Sequence, residues 1–335
     1  LLKEFFMPSP VKPLERESFE AAALMAQFPP KLQNRNKQVI YQIACPQGSL
    51  PAGSVTYSRW GAMSLPDHFE RQPSLRLIAS ENAYDYRPID DAGVATEWHV
   101  NFADSHLFVA YGSGLFAQDE IQVAEHPVLA SVKEAISARG KSPRTMENGS
   151  PTPVLIKGAE RRVVITTDPD FYAGRAYWLY GSRFTQASEE VINAATKPIN
   201  PPTVTNILAM AAPASGEGTY QREEIELILE TAYTGFMAAK MESGTPVRAV
   251  IHTGFWGCGA FGGNRVLMAM LQIIAAHFAG IDAIAFHTFN KDGTRALADA
   301  QSLLGPFMID GGLSTGELIG KMVALGLRWG ISDGN

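Results

Sequence analysis

The chain has 335 residues, 46% of them hydrophobic, and a net charge of −6 with a pI near 5.7. Such a chain can bury a sizeable core as one large globular domain or one domain with an extension. The absence of a Lys/Arg-rich stripe argues against a nucleic-acid groove, and no apolar run approaches the ~20 residues of a membrane span. Only Cys45 and Cys258 occur, so neither a disulfide framework nor a zinc site is indicated, no metal is called for, and a reducing, cytoplasmic compartment is expected. The start Leu-Leu-Lys-Glu-Phe-Phe lacks the ordered regions of a signal peptide, and the missing initiator Met suggests a trimmed chain.

Residues 1–52 carry seven prolines around one helical stretch, Glu15 to Phe28. This composition predicts an N-terminal helical extension packed on a larger body spanning 53–335. Val55 to Ser58 reads as a strand, as do Leu75 to Ala79 and His99 to Phe102. Gln118-Asp119-Glu120 follows the turn Tyr111-Gly112-Ser113-Gly114 and opens an amphipathic helix toward Glu125. Two readings of these carboxylates stay open. One is capping and dipole complementarity, worth a few tenths to about 1 kcal/mol. The other is an acid held protonated beside an ionised neighbour, ready to protonate a glycosidic leaving group. A polar connection is predicted over 139–153, a strand over Val163 to Thr166, a Pro-rich break over Lys197 to Thr203, and a strand over Val204 to Met210.

The C-terminal half is the most legible. Apolar residues at Ile225, Ile228, Leu229, Ala232, Phe236 and Ala239 have the spacing of a helix that buries one face. A strand at Val247 to Thr253, a helix at Arg265 to Ala279 and a strand at Ala283 to Thr288 then form a strand-helix-strand unit. Its crossover implies a parallel pair with a ligand at the carboxyl ends of the strands. The expected fold is therefore a three-layer α/β arrangement around a mixed central sheet flanked by helices. Between strand and helix lies Thr253-Gly254-Phe255-Trp256-Gly257-Cys258-Gly259-Ala260-Phe261-Gly262-Gly263, with five glycines in ten residues. Such backbone lets N–H groups approach an anion such as a diphosphate. A dinucleotide fingerprint fits poorly, because Gly254, Phe255 and Trp256 intervene after the strand and Asp282 falls at the start of the next strand rather than its end. A P-loop fails for want of Lys-Ser or Lys-Thr, and Cys258 lacks the surroundings of a nucleophile elbow. A packing turn without a ligand remains the plain alternative.

Taken together, Val100-Asn101-Phe102-Ala103-Asp104, the glycine turn and Gln118-Asp119-Glu120 resemble the poly(ADP-ribose) glycohydrolase signature, in which Asp-Phe-Ala-Asn precedes Gly-Gly-Gly and Gln-Glu-Glu. The loop after Thr253 is similar to that family's Thr-Gly-x-Trp-Gly-Cys-Gly-Ala-Phe-Gly-Gly diphosphate loop. The resemblance extends to Ala232-Tyr233-Thr234-Gly235-Phe236, Phe286-His287-Thr288-Phe289 and Val55 to Arg59. It implies a macrodomain that binds ADP-ribose, needs no cofactor or metal, and hydrolyses the bond at C1 of the distal ribose. Glu120 matches the catalytic acid, with its pKa raised by Asp119. Asp119 matches the neighbour that contacts the ribose hydroxyls, and Gln118 leads the motif. Thr253, Gly254, Trp256, Gly257, Cys258, Gly259, Ala260, Phe261 and Gly262 would form the diphosphate loop, and Phe289 would pack beside the distal ribose.

The departures from that pattern carry their own expectations. Tyr111-Gly112-Ser113-Gly114 replaces Gly-Gly-Gly, so the backbone approaches a substrate less freely there. Asn101 and Asp104 exchange amide and carboxylate, adding negative charge toward the reacting sugar. Arg175 falls where the family has its adenine-stacking tyrosine, so adenine would stack on Arg175, Tyr172 or Tyr177. Asp104, Asp119 and Glu120 around one ribose would suit arginine-linked mono-ADP-ribose. Bacterial effectors of this kind act on ubiquitin, so an ADP-ribosylated protein such as ubiquitin is the expected partner, in the cytoplasm or delivered to a host cytosol. The alternative is a reader macrodomain that binds ADP-ribose without cleaving it.

Overall fold

The computed structural model describes residues 11–89, 94–172, 174–213, 215–309 and 312–332. In chain order the elements are β1 (Glu15–Glu20), α1 (Ala21–Gln27), α2 (Arg35–Ala44), β2 (Ser54–Arg59), β3 (Arg76–Ser80), β4 (Ala95–Ala103), α3 (Gln118–Glu125) and α4 (Val128–Ala138). The hairpin of β5 (Met146–Glu147) and β6 (Ser150–Pro151) follows, then β7 (Val154–Ile165), α5 (Glu189–Ala195), β8 (Thr196–Ala211) and α6 (Arg222–Ser243). The chain continues through β9 (Arg248–Thr253), α7 (Arg265–Ala279), β10 (Ala283–His287), α8 (Lys291–Ile309) and α9 (Thr315–Ala324).

Among the described residues the main sheet has eight strands in the order β1-β2-β7-β8-β4-β9-β10-β3. The β8-β4-β9-β10-β3 side is parallel and the β1-β2-β7-β8 side antiparallel. Alternation along the strands sends side chains to opposite faces. Trp98, Val100, Leu208, Met210 and Ile251 enter a core with α6 and α7. Ala103, Val154, Ile156, Ile207 and Ala209 enter a second core with α1, α2 and α4. The result is the expected three-layer α/β architecture around a mixed sheet, and β9, α7 and β10 form the expected parallel crossover unit.

Two local expectations change. The helix read over Glu15 to Phe28 begins as a strand, because Glu15–Glu20 carries a period-two burial pattern and pairs with β2. The helix starts only where the Glu20 carboxylate accepts from Ala22 N and Ala23 N at 3.2 and 2.6 Å. The break read over Lys197 to Thr203 is part of β8. Strand β4 pairs with β8 only from Trp98↔Asn206 onward. Pro198, Pro201 and Pro202 therefore lie where β8 has β7 on one side alone, and a missing N–H disrupts no central ladder there. Residues 1–10 of the predicted N-terminal segment fall outside the described residues.

Strands β4 and β9 pair only up to His99↔His252, whereas β4 stays paired with β8 through Ala103↔Ala211. The two strands therefore part at their carboxyl ends, the place where open α/β sheets take ligands.

Candidate active site

The gap between β4 and β9 is closed by side chains that supply the missing strand hydrogen bonds. Gln118 accepts from Phe102 N through Oε1 at 2.8 Å and donates from Nε2 to Val100 O at 3.1 Å. Tyr84 Oη donates toward Val100 O and His252 O at 3.0 and 3.2 Å. Gln118 thus fastens the first residue of α3 to the end of β4, which fixes where Asp119 and Glu120 stand.

Both carboxylates are buried, at 7% and 3% exposure. Asp119 Oδ1 accepts from Asn101 Nδ2 at 3.0 Å, while the buried Asn101 Oδ1 has no partner among the described residues. Glu120 Oε2 accepts from Ala117 N at 2.9 Å, the return half of a capping box. Burial, and after it the charge of Glu120, push the Asp119 carboxyl up to about 8, against the opposing influence of Asn101, Lys37 and Lys133. Burial of two adjacent carboxyls thus favours one proton on the Asp119–Glu120 pair at neutral pH. Asp104 stands apart from this pair. Its Oδ1 accepts from Ser105 Oγ and His106 N, both at 3.0 Å, and its side chain is 43% exposed.

The glycine loop follows β9. Trp256 N, Cys258 N, Gly262 N and Gly263 N bond to Gly254 O, Phe255 O, Gly259 O and Gly257 O. The consecutive N–H groups of Gly259, Ala260 and Phe261 meet no acceptor among the described residues. Successive N–H groups left open in a tight loop are the kind of backbone that can receive an anion. The geometry requires glycine at two positions in particular. Gly257 has φ +73° and its Cβ would sit 2.5 Å from Pro213 Cδ, while Gly262 has φ +63° and would press on Ser332 N at 2.9 Å. Thr253 Oγ1 and Gly254 O are tied to Gln272 of α7 at 2.5 and 3.0 Å. Asn264 caps α7 by accepting from Val266 N and Leu267 N at 3.0 and 3.1 Å. Trp256 is fully buried and serves as the loop's anchor. Burial pushes the Cys258 thiol up, the reverse of an activated nucleophile.

Phe289 follows β10 at φ 68°, half exposed, a backbone conformation that costs energy for an aromatic residue. Its ring lies 5.6 Å from that of Trp178, also partly exposed. The hydrogen bond from Gly181 N to Phe116 O at 2.8 Å joins the Trp178 segment to the approach to α3. The Trp178–Phe289 pair therefore spans the ends of α3 and β10, and Trp178 is a site-facing candidate that sequence reasoning missed. Arg175 is 3% exposed, with Nε donating to Asp168 O and its backbone paired to Asp170. Tyr172 is fully exposed.

The structure thus places Asn101 near the carboxyl end of β4, Gln118, Asp119 and Glu120 at the start of α3, the glycine loop after β9, and Phe289 after β10. It keeps Asp104 in its own turn and Arg175 inside its own loop. Among the described residues no cluster of His, Cys, Asp and Glu is arranged to hold a metal ion.

Residues 160–296 match a family model described as Poly (ADP-ribose) glycohydrolase (PARG), Macro domain fold. The match includes the glycine loop and Phe289 and begins after the acidic pair. Among solved structures the chain is similar to poly(ADP-ribose) glycohydrolase from Thermomonospora curvata, at 16% identity and TM-score 0.47, covering 84% of this chain and 98% of that one. The same enzyme bound to the inhibitor ADP-HPD gives 20% identity and TM-score 0.44, covering 67% and 78%. Poly(ADP-ribose) glycohydrolase from Deinococcus radiodurans in complex with ADP-ribose gives 11% identity and TM-score 0.43, covering 88% and 95%. The glycine loop, its anchoring helix α7 and the aromatic after β10 all lie inside the residues that match this Poly (ADP-ribose) glycohydrolase (PARG), Macro domain fold model.

Proposed function

We propose that the protein is an ADP-ribosyl glycohydrolase that binds ADP-ribose and breaks the bond at C1 of its distal ribose. One juxtaposition carries this reading. A buried carboxyl pair follows β4 and three free backbone N–H groups follow β9, at the point where these two strands part. The diphosphate would lie on Gly259, Ala260 and Phe261, and Phe289 would limit the motion of the distal ribose by contact. The Asp119–Glu120 pair enters the reaction with a proton. Glu120 delivers it to the leaving group as positive charge builds on the ribose, then takes a proton from the attacking water. Asn101 orients Asp119, and Gln118 holds the helix start in register with β4.

We further propose an arginine-linked substrate, with the exposed Asp104 carboxylate meeting the guanidinium at the rim. The modified partner would then be a protein such as ubiquitin, in the cytoplasm or in a host cytosol. Residues 53–335 would form the catalytic body and 1–52 an extension that adds β1 to its sheet. No helix among the described residues is long and apolar enough to cross a membrane.

The reader alternative has one observation in its favour. Glu120 caps α3, so a binder without activity would still have a use for that carboxylate. Glu120→Gln separates the two. As a glycohydrolase the variant should bind ADP-ribose within about threefold of the wild type by calorimetry while releasing it at least ~100-fold more slowly. Release unchanged by the substitution overturns the mechanism, and binding with no product from the wild type favours the reader. Arginine-linked, serine-linked and polymeric substrates run side by side assign the linkage.

A further inference from the structure

The N-terminal segment packs against the stretch that leads into α3. Gln33 N and Asn34 N both donate to Gly112 O at 3.0 Å, and Lys31 N donates to Tyr111 Oη at 2.8 Å. Gly112 is glycine because of this contact, since a Cβ there would sit 2.3 Å from Lys31 O. From α2, the Lys37 side chain then runs inward at 1% exposure. Its Nζ donates to Ala110 O at 3.1 Å and stands 5.8 Å from the centre of the Phe116 ring. From the opposite side, Lys133 of α4 donates to Phe108 O at 3.1 Å and lies over the Tyr111 ring at 4.9 Å. Two cations on separate elements thus grip the carbonyls of one short stretch, which includes Phe108 at φ 49° and leads directly into α3. Lys37 makes no ion pair among the described residues. A buried ammonium with neutral partners is costly unless nearby charge compensates it, and two buried carboxyls present the converse problem.

We propose that Lys37 is a positioning residue for the Asp119–Glu120 pair, holding the 108–116 stretch in place and supplying the buried positive charge against which the pair sets its proton. This rests on the glycohydrolase reading only where turnover is concerned. Consistent with the placement, burial lowers the Lys37 ammonium to about 8, with Glu120 and Asp119 the charges that oppose the fall. The other titratable groups around it are Lys133 and Glu134 of α4, Tyr111 of the loop, Lys31 of the N-terminal segment and Tyr41 of its own helix.

The test replaces the ammonium but keeps the stem, as Lys37→Met, and follows the Asp119 side-chain carboxyl carbon by NMR across pH, without substrate. Loss of a neighbouring positive charge should move the Asp119 midpoint upward by roughly half a pH unit or more. The basic limb of the rate profile should move the same way, and Lys37→Arg should restore part of both. An unchanged Asp119 midpoint in folded Lys37→Met overturns the proposal. If Lys37→Met does not fold, Lys37→Gln decides by the same midpoint. A wild type that shows the midpoint shift on substitution but releases no ADP-ribose would refute the glycohydrolase reading and leave the electrostatic role standing.

Discussion

Asp119 shows how far a single buried carboxyl can be moved by its surroundings. Its folded pKa near 8 lies well above the ordinary value of 3.8, so the folded state binds a proton that the unfolded chain has already lost. Stability therefore falls as pH rises from about 4 to about 8 and is flat above that window. Asp119→Asn removes this dependence while keeping an acceptor for Asn101. The variant should gain stability relative to the wild type as pH rises, by ~2 kcal/mol or more at pH 8, read as a difference in thermal midpoints between pH 5 and 8. Activity should fall in the same protein, because Glu120 then has no neighbouring carboxyl with which to share its proton. A gap in midpoints that does not widen with pH would show that Asp119 is ionised throughout.

At the scale of elements, the site is made by strands that stop pairing. β4 and β9 are neighbours up to His99↔His252 and then part, and the Gln118 amide takes over the vacated hydrogen bonds of β4. An amide side chain can do this because it carries one donor and one acceptor at the spacing of a peptide group. Gln118→Ala would leave Phe102 N without its acceptor and Val100 O with the Tyr84 hydroxyl alone, a cost of about 1–3 kcal/mol. It should also loosen the start of α3. The expected result is a lower denaturation midpoint together with a lower kcat, and a fall in kcat greater than any change in ADP-ribose affinity. Loss of affinity alone would mean that Gln118 touches the ligand rather than the scaffold.

Across the whole molecule, a layer of buried imidazoles lies in the sheet. His99 and His252 stack at 4.1 Å, His252 Nδ1 and His287 Nε2 are 3.2 Å apart, and His252 Nε2 meets Glu97 Oε2 at 2.7 Å. Burial lowers His99 well below its ordinary value, His126 to about 3 and His287 to about 4. Unfolding lets these rings take up protons below about pH 6.5, so their contribution to stability is present above that value and is lost as pH falls toward 4. The protein should unfold cooperatively in mild acid with net uptake of more than one proton, measurable by denaturant midpoints against pH. His99→Phe, which keeps a flat apolar ring in the stack, should move that acid transition to lower pH.

The β9-loop-α7-β10 unit was legible in the sequence because each of its cues is local. An apolar strand, five glycines and an amphipathic helix state their conformation without reference to distant residues. The carboxyl pair at Gln118-Asp119-Glu120 was legible as a motif, but its protonation was not, since burial and Lys37 come from elements remote in sequence. The edge strand β1 and the proline-bearing stretch of β8 were misread for a related reason: a strand is defined by its partner. Sequence alone thus determined the strand, glycine-loop and helix of the β9–α7 unit and the position of the carboxyl pair at a helix start. Tertiary structure alone decided that two adjacent carboxyls are buried together, where β4 and β9 part, and that a buried lysine holds the stretch leading into α3, because burial and charge are set by what folds against a residue.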